Sequence, residues 1–564
     1  MLPYCNQSGR RKMHIGIAVV TFTYTVLLNV AFAQTVMPPF ALEAKISADS
    51  IKTHIMKLGD DAYEGRGTGS SGCENAAAYI SNALRLYGIR HLSGLPDYFQ
   101  KFPLHGSTPI EGTEFKLFAA KDSYTLRLQE DYVLYSAGAQ TFIPTSVRLI
   151  FVGYGIIAPE FDYNDYQNID VKNAIVVFLS GEPASVDESF FEGGRETVHS
   201  SFAMKQKIAL ARGARGSILI PNPRDRSMDD WYEQQKHFLF EEVRLLFAPS
   251  ENLNILLNVK LASFLFTDAP HSFEEVETFD TKGTMKSFPL TLRASFQGKF
   301  KERDFLSANV IGMVEGSDPV LKDSYVLLSA HYDHLGIGVP VEGDSIYNGV
   351  FDNASGVSAL LEIARSIAAN QERPKRSILF VFLTGEERGF LGSQFYCLNP
   401  VVPLYKTVAN INIDGISLFE NVRSFIGVGA ELSTLGTMLQ TTAASLGLTM
   451  DEIPHDLFRY DQFRNSDQFM FAQAGIPSIL IAEGLHYQSS AYSDGINRYT
   501  TWAEEKYHSP VDDLQQPMNF DAAAQHASFV LQFALSLANS NNAPQWYDHS
   551  PFLNARLRSI SKRQ

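Results

Sequence analysis

The sequence predicts an α/β protein: a mostly parallel mixed sheet flanked by helices, with a β-rich domain inserted into it. After about residue 305, near-continuous apolar strands such as SYVLLSA, SILFVFLT and IPSILIA alternate with amphipathic helices. This alternation is typical of a parallel sheet that is covered on both faces. Between about 125 and 300, short β-type runs such as NAIVVFLSG are joined by turn-rich connections instead.

The chain is too long for a single hydrophobic core. With 564 residues, it is expected to form more than one domain. Its formal net charge is −15, which argues against a nucleic-acid partner because phosphate binding needs a basic face.

The first residues resemble an export signal. The basic run GRRK is followed by an apolar stretch that ends in Ala31-Phe32-Ala33, and small residues at these positions favour cleavage after Ala33. The alternative is an uncleaved anchor, since the apolar run approaches the length that spans a bilayer. We expect cleavage, which predicts a periplasmic or secreted protein with no stable membrane insertion.

Two cysteines, Cys73 and Cys397, remain after the predicted cleavage. Two distant cysteines form neither a disulfide framework nor a thiolate metal cluster. The sequence leaves open whether they pair with each other or are separate buried thiols.

The chain begins with helical material, then enters the β-rich region, and finally follows a strand–loop–helix pattern. Near the start, a loop with the sequence YEGRGTGSSG separates two helical runs. The predicted organisation is a signal peptide (1–33), the N-terminal part of the main domain (34–124), the inserted domain (125–305), the main domain (306–545) and a C-terminal tail (546–564).

Potential metal ligands follow strands or precede helices at five places in the second α/β segment. In parallel sheets, functional groups gather beyond the carboxyl ends of the strands, so we expect these side chains to meet. The groups are His331 with Asp333 in SAHYDHLG, Asp352 in GVFDNASG, the pair Glu386-Glu387 in LTGEERG, Asp414 in INIDGIS, and His508 in YHSPVDDL.

Imidazole and carboxylate ligands without thiolates suit zinc, and also cobalt or manganese. Two imidazoles and three carboxylates are too many for one four-coordinate zinc, but they suffice for two if one carboxylate bridges. Two metals about 3.5–4 Å apart can activate a water and stabilise charge on an attacked carbonyl. One of the adjacent glutamates can then ligate while the other acts as general base. The Asp333 carboxylate can accept a hydrogen bond from the second ring N–H of His331.

The ordered motifs HYDH, DNASG, GEERG, NID and YHSP resemble those of the dizinc peptidase family 28, over about residues 50–110 and 305–540. That family includes secreted aminopeptidases, glutamate carboxypeptidases and glutaminyl cyclases. The resemblance implies two Zn²⁺ ions per chain, peptide substrates and the following roles: His331 and Asp414 on one zinc, Glu387 and His508 on the other, Asp352 as bridge, Glu386 as general base and Asp333 as orienter of His331.

The segment NSDQFMFAQAGIPSILI resembles the family segment beside the site, with one departure. The residue after Ser-Asp is commonly histidine in the family and is Gln468 here, so substrate contacts at this position are open. A long insertion at 485–506 is expected to wall the substrate pocket.

The β-rich segment resembles a protease-associated domain, through VGYGIIAPEF and KIALARGARGSILI. Two roles are open for it: covering the cleft, or acting as a stability module without a part in recognition.

The resemblance favours a secreted or periplasmic zinc aminopeptidase over three alternatives. A glutaminyl cyclase is disfavoured because cyclase relatives generally lack the inserted domain. A carboxypeptidase would need cations for the substrate carboxylate, and Arg459 and Arg464 lie near the substrate-side segment. A binding protein on the same fold predicts missing ligands, whereas all five positions and Glu386 are present.

Overall fold

The computed structural model describes residues 45–562 except 137–141, 188, 194–196, 223, 225–230, 249–252 and 455–461. The expected signal peptide, its cleavage site after Ala33, and Arg459 lie outside the described residues. Within the described residues, no helix has both the length and the apolar character needed to cross a membrane.

Helices occur in both the main and the inserted parts of the chain. In chain order they are α1 (Ala48–Leu58), α2 (Ser71–Leu86), α3 (Phe202–Ala211), α4 (Trp231–Gln235), α5 (Ala262–Leu265), α6 (Phe273–Thr281), α7 (Gly356–Ala369), α8 (Leu391–Leu398), α9 (Leu435–Ser445), α10 (Gln468–Gln473), α11 (Tyr492–Glu505), α12 (Phe520–Asn539) and α13 (Leu553–Ser561).

The strands form two large sheets and two small hairpins. In chain order they are β1 (Phe99–Pro109), β2 (Glu114–Phe118), β3 (Ser123–Leu126), β4 (Tyr132–Ser136), β5 (Phe142–Val152), β6 (Ile157–Ala158), β7 (Tyr163–Asn164), β8 (Ile175–Leu179), β9 (Gly216–Ile220), β10 (Glu242–Leu245), β11 (Leu253–Leu257), β12 (Ser287–Gln297), β13 (Phe300–Val314), β14 (Tyr325–His331), β15 (Gly336–Val341), β16 (Asp344–Tyr347), β17 (Ser377–Leu383), β18 (Thr407–Asn412), β19 (Ser424–Val428), β20 (Thr449–Asp451) and β21 (Ser478–Glu483).

The main sheet has the strand order β10-β1-β13-β17-β14-β18-β21-β19-β20. Its centre, β17-β14-β18-β21, is parallel, and the strands outside this centre add antiparallel pairs. Successive residues of β17 pack into two different cores: Phe380 joins the core with α1, α7 and α12, and Leu379 joins the core with α8 and α10. The predicted mixed α/β sheet flanked by helices is confirmed.

A second sheet, with the order β3-β2-β12-β5-β8-β9-β11-β4, has its own core. Its strands lie between Glu114 and Gln297, whereas the predicted insert spans 125–305. The sheet begins earlier in the chain than the predicted insert, because β2 lies before residue 125 and pairs with β12. In addition, β10 lies within the predicted insert but pairs with β1 in the main sheet. The resemblance of this region to a protease-associated domain stays a prediction.

The two cysteines are not joined. Cys73 is buried and Cys397 is partly buried, and both are free thiols. Cys73 lies 3.5 Å from the Thr384 hydroxyl, and Cys397 contacts the Met470 carbonyl instead.

Candidate metal centre

The parallel register of the main sheet brings the predicted ligands to one edge. His331 ends β14 and is paired with Leu383, the last residue of β17. Glu386 and Glu387 follow β17 after a short turn, and Asp414 follows β18, which pairs with the other side of β14.

Asp352 and His508 reach the same place from loops. Asp352 precedes α7, whose entry is fixed by the Asn353 side chain, which accepts a hydrogen bond from the Gly356 N–H. His508 lies between α11 and α12.

The first set of donor atoms surrounds the Nε2 atom of His331. This nitrogen lies 3.2 Å from Oδ1 of Asp352 and 3.1 Å from Oδ1 of Asp414. The His331 side chain is 1 % exposed. These three residues form one of the groups in the described part of the chain that could hold a metal ion.

The second set surrounds the Nε2 atom of His508. This nitrogen lies 3.3 Å from Oδ2 of Asp352 and 3.1 Å from Oε2 of Glu387. The two oxygens of Asp352 therefore face two different sets of donor atoms, which is the arrangement that a bridging carboxylate requires.

Both sets have the spacing expected of zinc ligands. Zinc–nitrogen and zinc–oxygen bonds of about 2.0–2.1 Å place neighbouring tetrahedral ligands about 3.3 Å apart.

Burial and the Glu387 carboxylate act to raise the pKa of Asp352. Hydrogen bonds from His331 and His508 outweigh them and hold that pKa below its usual value. Asp352 is thus kept ionised.

Glu386 lies beside the donor atoms but outside both sets. One of its carboxylate oxygens is within 4.8 Å of a His331 ring nitrogen and a Glu387 oxygen. Burial raises the pKa of Glu386 well above its ordinary value, and the neighbouring carboxylates of Glu387 and Asp414 add to this against the opposing effect of His331. Burial also acts to raise the pKa of Glu387, but two histidines, His508 and His334, outweigh it and lower that pKa.

The part of the chain that carries the predicted ligands resembles known proteins. Residues 309–534 match the model of peptidase family M28. The predicted family is therefore confirmed, on the part of the chain that carries the main sheet and the ligands.

Individual relatives cover the chain only in part. A probable zinc metalloprotease of Pyrenophora teres f. teres is 28% identical over 245 residues, covering 42% of this chain and 49% of that protein. The aminopeptidase NAALADL1 of Mus musculus is 36% identical over 120 residues, covering 20% of this chain and 14% of that protein. The chain thus spans about half the length, or less, of these relatives.

A solved aminopeptidase from Aneurinibacillus sp. strain AM-1 shares the fold. It superposes with a TM-score of 0.52 at 17% identity, over 87% of this chain and 93% of that chain. At this identity the likeness shows the fold alone.

Asp333 lies closer to His331 through its main chain than through its side chain. The His331 Nδ1 atom lies 3.1 Å from the main-chain carbonyl of Asp333, and the Asp333 carboxylate is 3.9 Å away. That carboxylate accepts hydrogen bonds from the Thr68 hydroxyl and the Glu386 N–H. The role of Asp333 as orienter of His331 stays a prediction.

His334 is a site residue to which the sequence analysis gave no role. Its Nδ1 atom lies 2.7 Å from Oε1 of Glu387 and 3.9 Å from Oδ2 of Asp352. The shorter distance is a hydrogen-bond length and is too short for two ligands of one zinc. His334 therefore holds the far oxygen of Glu387, leaving Oε2 directed at His508.

Asp512 and Tyr507 are two further residues without an assigned role. The Asp512 carboxylate accepts hydrogen bonds from the N–H groups of Phe351 and Asp352, so it ties the His508 loop to the bridging aspartate. The Tyr507 ring stacks on His508 with centroids 3.7 Å apart. Burial and then the Asp352 and Glu387 carboxylates raise the pKa of the Tyr507 hydroxyl, which stays protonated.

The insertion at 485–506 forms α11 and places aromatic rings beside the ligands. Trp502 of α11 packs on Phe351, the neighbour of Asp352, with centroids 4.5 Å apart. Trp502 also contacts Tyr507 at 5.6 Å. These contacts place rings of the insertion beside neighbours of the predicted ligands, and its role as a wall of the substrate pocket stays a prediction.

Proposed function

We propose that this protein is an aminopeptidase that uses two zinc ions to hydrolyse the N-terminal residue from peptides. Family membership supports a peptidase. The single observation that supports two zinc ions is the position of Asp352. Each of its two carboxylate oxygens completes a separate set of donor atoms.

The residues assigned to the zinc ions are those of the two sets. His331 and Asp414 hold one ion, Glu387 and His508 hold the other, and Asp352 bridges them. When bound, the two ions would polarise the scissile carbonyl and acidify the attacking water.

Glu386 carries the proton in this mechanism. Its carboxylate is close to both sets but not part of either, so it can accept a proton from the attacking water and deliver it to the departing amine. The surroundings that raise its pKa make it a stronger base than a solvent-exposed glutamate.

Tyr507 lies beside the second set of donor atoms. Its phenol offers a hydroxyl donor next to His508. The stacking on His508 fixes the ring.

The charge of the site favours a substrate amine over a substrate carboxylate. Acidic side chains crowd the centre, namely Asp333, Asp352, Glu386, Glu387, Asp414 and Asp467. The cations Arg66 and Arg388 are directed elsewhere: Arg66 donates to four main-chain carbonyls, and Arg388 lies over the Phe240 ring and donates to the Leu335 carbonyl. The carboxypeptidase alternative therefore depends on Arg459 and Arg464, the two cations that the sequence analysis named for it.

A panel of chromogenic peptides with free and blocked N-termini tests this function. We expect hydrolysis of the free peptides only, with close to two zinc ions per chain measured in parallel. Hydrolysis of blocked peptides alone would instead establish the carboxypeptidase. No hydrolysis of either set by zinc-loaded protein would establish a binding protein on this fold.

We also propose export with cleavage after Ala33, supported by the composition of residues 9–33. N-terminal sequencing of the protein from the expressing cells should give Gln34 as the first residue. An intact Met1 in a membrane fraction would favour the anchor.

A further inference from the structure

A cavity of about 680 Å³ lies at the end of the main sheet opposite the metal centre. Its wall includes Leu404 and Tyr405, which come just before β18, whereas Asp414 follows the other end of that strand. The six residues of β18 span about 20 Å. The cavity is therefore separate from the residues assigned to zinc.

The wall of this cavity is mainly apolar. It includes Leu398 of α8, Met470 of α10 and Leu404 of the turn before β18. The Leu398 side chain is 61 % exposed, so this wall is open to solvent. The volume lies within the range of about 300–1,000 Å³ that is usual for sites of small organic molecules.

The rim of the cavity carries positive charge. Arg558 of α13 and Lys562, which directly follows that helix, both line it and lie four residues apart, on one helical face. Within the described part of the chain, neither cation makes an ion pair, and none of the described lining residues is acidic. The whole chain has a net charge of −15, so this local excess of positive charge is a departure that favours an anionic group.

Helix α13 is held firmly beside the apolar wall. The Arg556 guanidinium donates to the main-chain carbonyls of Leu404 and Thr407 at 3.3 and 3.0 Å. The Trp546 indole, which precedes α13 in the chain, donates to the Gly475 carbonyl near the end of α10 at 3.0 Å. These contacts keep the two cations next to the apolar side chains.

We propose that this cavity binds a long-chain carboxylate. Its hydrocarbon chain lies against Leu398, Leu404 and Met470, where burial of apolar surface is favourable. Its carboxylate lies at Arg558 and Lys562, which form charge-assisted hydrogen bonds with it. A peptide fits this wall less well, because each amide group that it buries needs a hydrogen-bond partner. The inference goes beyond the proposed function and does not depend on zinc.

Isothermal titration calorimetry of the zinc-loaded protein with dodecanoate tests this inference. We expect one dodecanoate per chain. Acetate lacks the apolar chain and dodecyltrimethylammonium lacks the negative charge, so neither should bind measurably. Replacing both cations, by Arg558→Gln with Lys562→Gln, should weaken dodecanoate binding about tenfold or more, since hydrogen bonds to charged groups are lost. Leu398→Asp should weaken it similarly, because it places a negative charge on the apolar wall.

Matched controls use exposed residues outside the cavity. Lys121→Gln with Lys282→Gln makes the same change in net charge in the β-rich region, and this protein should bind dodecanoate normally. Leu86→Asp, at a leucine of α2 that is 85 % exposed, is the control for Leu398→Asp. Thermal unfolding of each variant checks that it is folded.

Three results would overturn the inference. The first is no binding of dodecanoate to the wild type, or equal binding to the variant without the two cations. The second is loss of binding after chelation, because carboxylates also bind zinc and the ligand would then lie on the metal centre. The third is binding to phosphatidylglycerol vesicles without binding to free dodecanoate, which would indicate a membrane-binding surface. If dodecanoate binds as expected but no peptide is hydrolysed, the proposed function fails and this inference stands.

Discussion

Glu386 and Glu387 are adjacent in the sequence, but their surroundings give them opposite electrostatic properties. Glu387 is contacted by two histidines, which lower the pKa of its carboxyl. For Glu386, burial together with the carboxylates of Glu387 and Asp414 outweighs the opposing effect of His331 and raises the pKa. One carboxylate is therefore suited to hold a cation and the other to exchange a proton.

Substitution of each glutamate by glutamine should separate these roles. Glu386→Gln should reduce kcat by at least about 10²-fold, the usual contribution of a general base, and should retain both zinc ions. Glu387→Gln should lose zinc instead. The measurements are steady-state kinetics and metal content on the same preparations; a fully active Glu386→Gln protein would contradict the assignment of the pair.

Arg66 illustrates how single side chains connect the elements around the site. It is 1 % exposed and donates hydrogen bonds to the carbonyls of four residues: Leu58, Tyr332, Asn348 and Gly349. These carbonyls belong to the end of α1, the turn after β14 and the loop before Asp352. The guanidinium thus joins three segments that carry or flank the ligands.

Arg66→Ala should lower the free energy of unfolding by about 4 kcal/mol or more, because it leaves several buried carbonyls without partners. Arg85→Ala is the control: Arg85 is an exposed residue of α2 paired with Asp97, and its loss should cost less than about 1 kcal/mol. Urea unfolding of both variants provides the comparison. Similar losses in the two proteins would contradict this account of Arg66.

The contact between α1 and α2 should depend on pH through His54. His54 is hydrogen-bonded to Tyr79 and Tyr87, and burial lowers its pKa to about 4. Between pH 6.5 and 4, the unfolded chain binds a proton that the folded protein does not. The stabilisation is therefore complete above pH 6.5 and is lost as the pH falls toward 4.

In urea melts of the zinc-free protein over this pH range, the wild type should lose about 1.4 kcal/mol more per pH unit than His54→Gln. Zinc-free samples are used so that loss of metal does not contribute to the slope. Parallel pH dependences of the two proteins would show that His54 is protonated in the folded state.

At the scale of the whole molecule, the second sheet region reaches the metal centre through residues 240–245. Phe240 lies against Arg388, the neighbour of Glu387, with 5.1 Å between the guanidinium carbon and the ring centroid. Glu241 pairs with Arg303 at 2.6 Å, and β10 extends the main sheet. A cavity of about 190 Å³ lies between this segment, Thr68 and Gly336. These contacts place residues 240–245 beside the neighbours of the predicted ligands, and the role of the β-rich region stays a prediction.

Zinc should stabilise the fold as a whole, because its removal leaves the carboxylates of the centre facing one another. A ligand at 1,000 times its Kd adds about 4 kcal/mol per site, so chelation should lower the unfolding temperature and added zinc should restore it. Asp352→Asn should abolish most of this effect by weakening both positions, whereas His508→Ala should remove about half. Equal unfolding temperatures with and without chelator would contradict a structural contribution from bound metal.

The sequence by itself determined the class of the fold and the residues that form the metal centre. Both follow from local pattern: alternating apolar strands and helices predict a parallel sheet, and ligand-type residues placed after such strands must meet at one edge. His331, Asp352, Glu387, Asp414 and His508 are indeed brought together. Their roles on zinc stay predictions.

Only the tertiary structure decided which atoms face which. The carbonyl of Asp333 lies closer to His331 than its carboxylate does, because that carboxylate accepts hydrogen bonds from Thr68 and from the Glu386 N–H. Ser466 reaches Asp414 from a segment 52 residues away. Such contacts depend on how separate segments pack, since each donor needs a partner within hydrogen-bond distance and direction. The alternation in NINID indicates a polar strand face, but no local pattern predicts which side chains will form hydrogen bonds with that face.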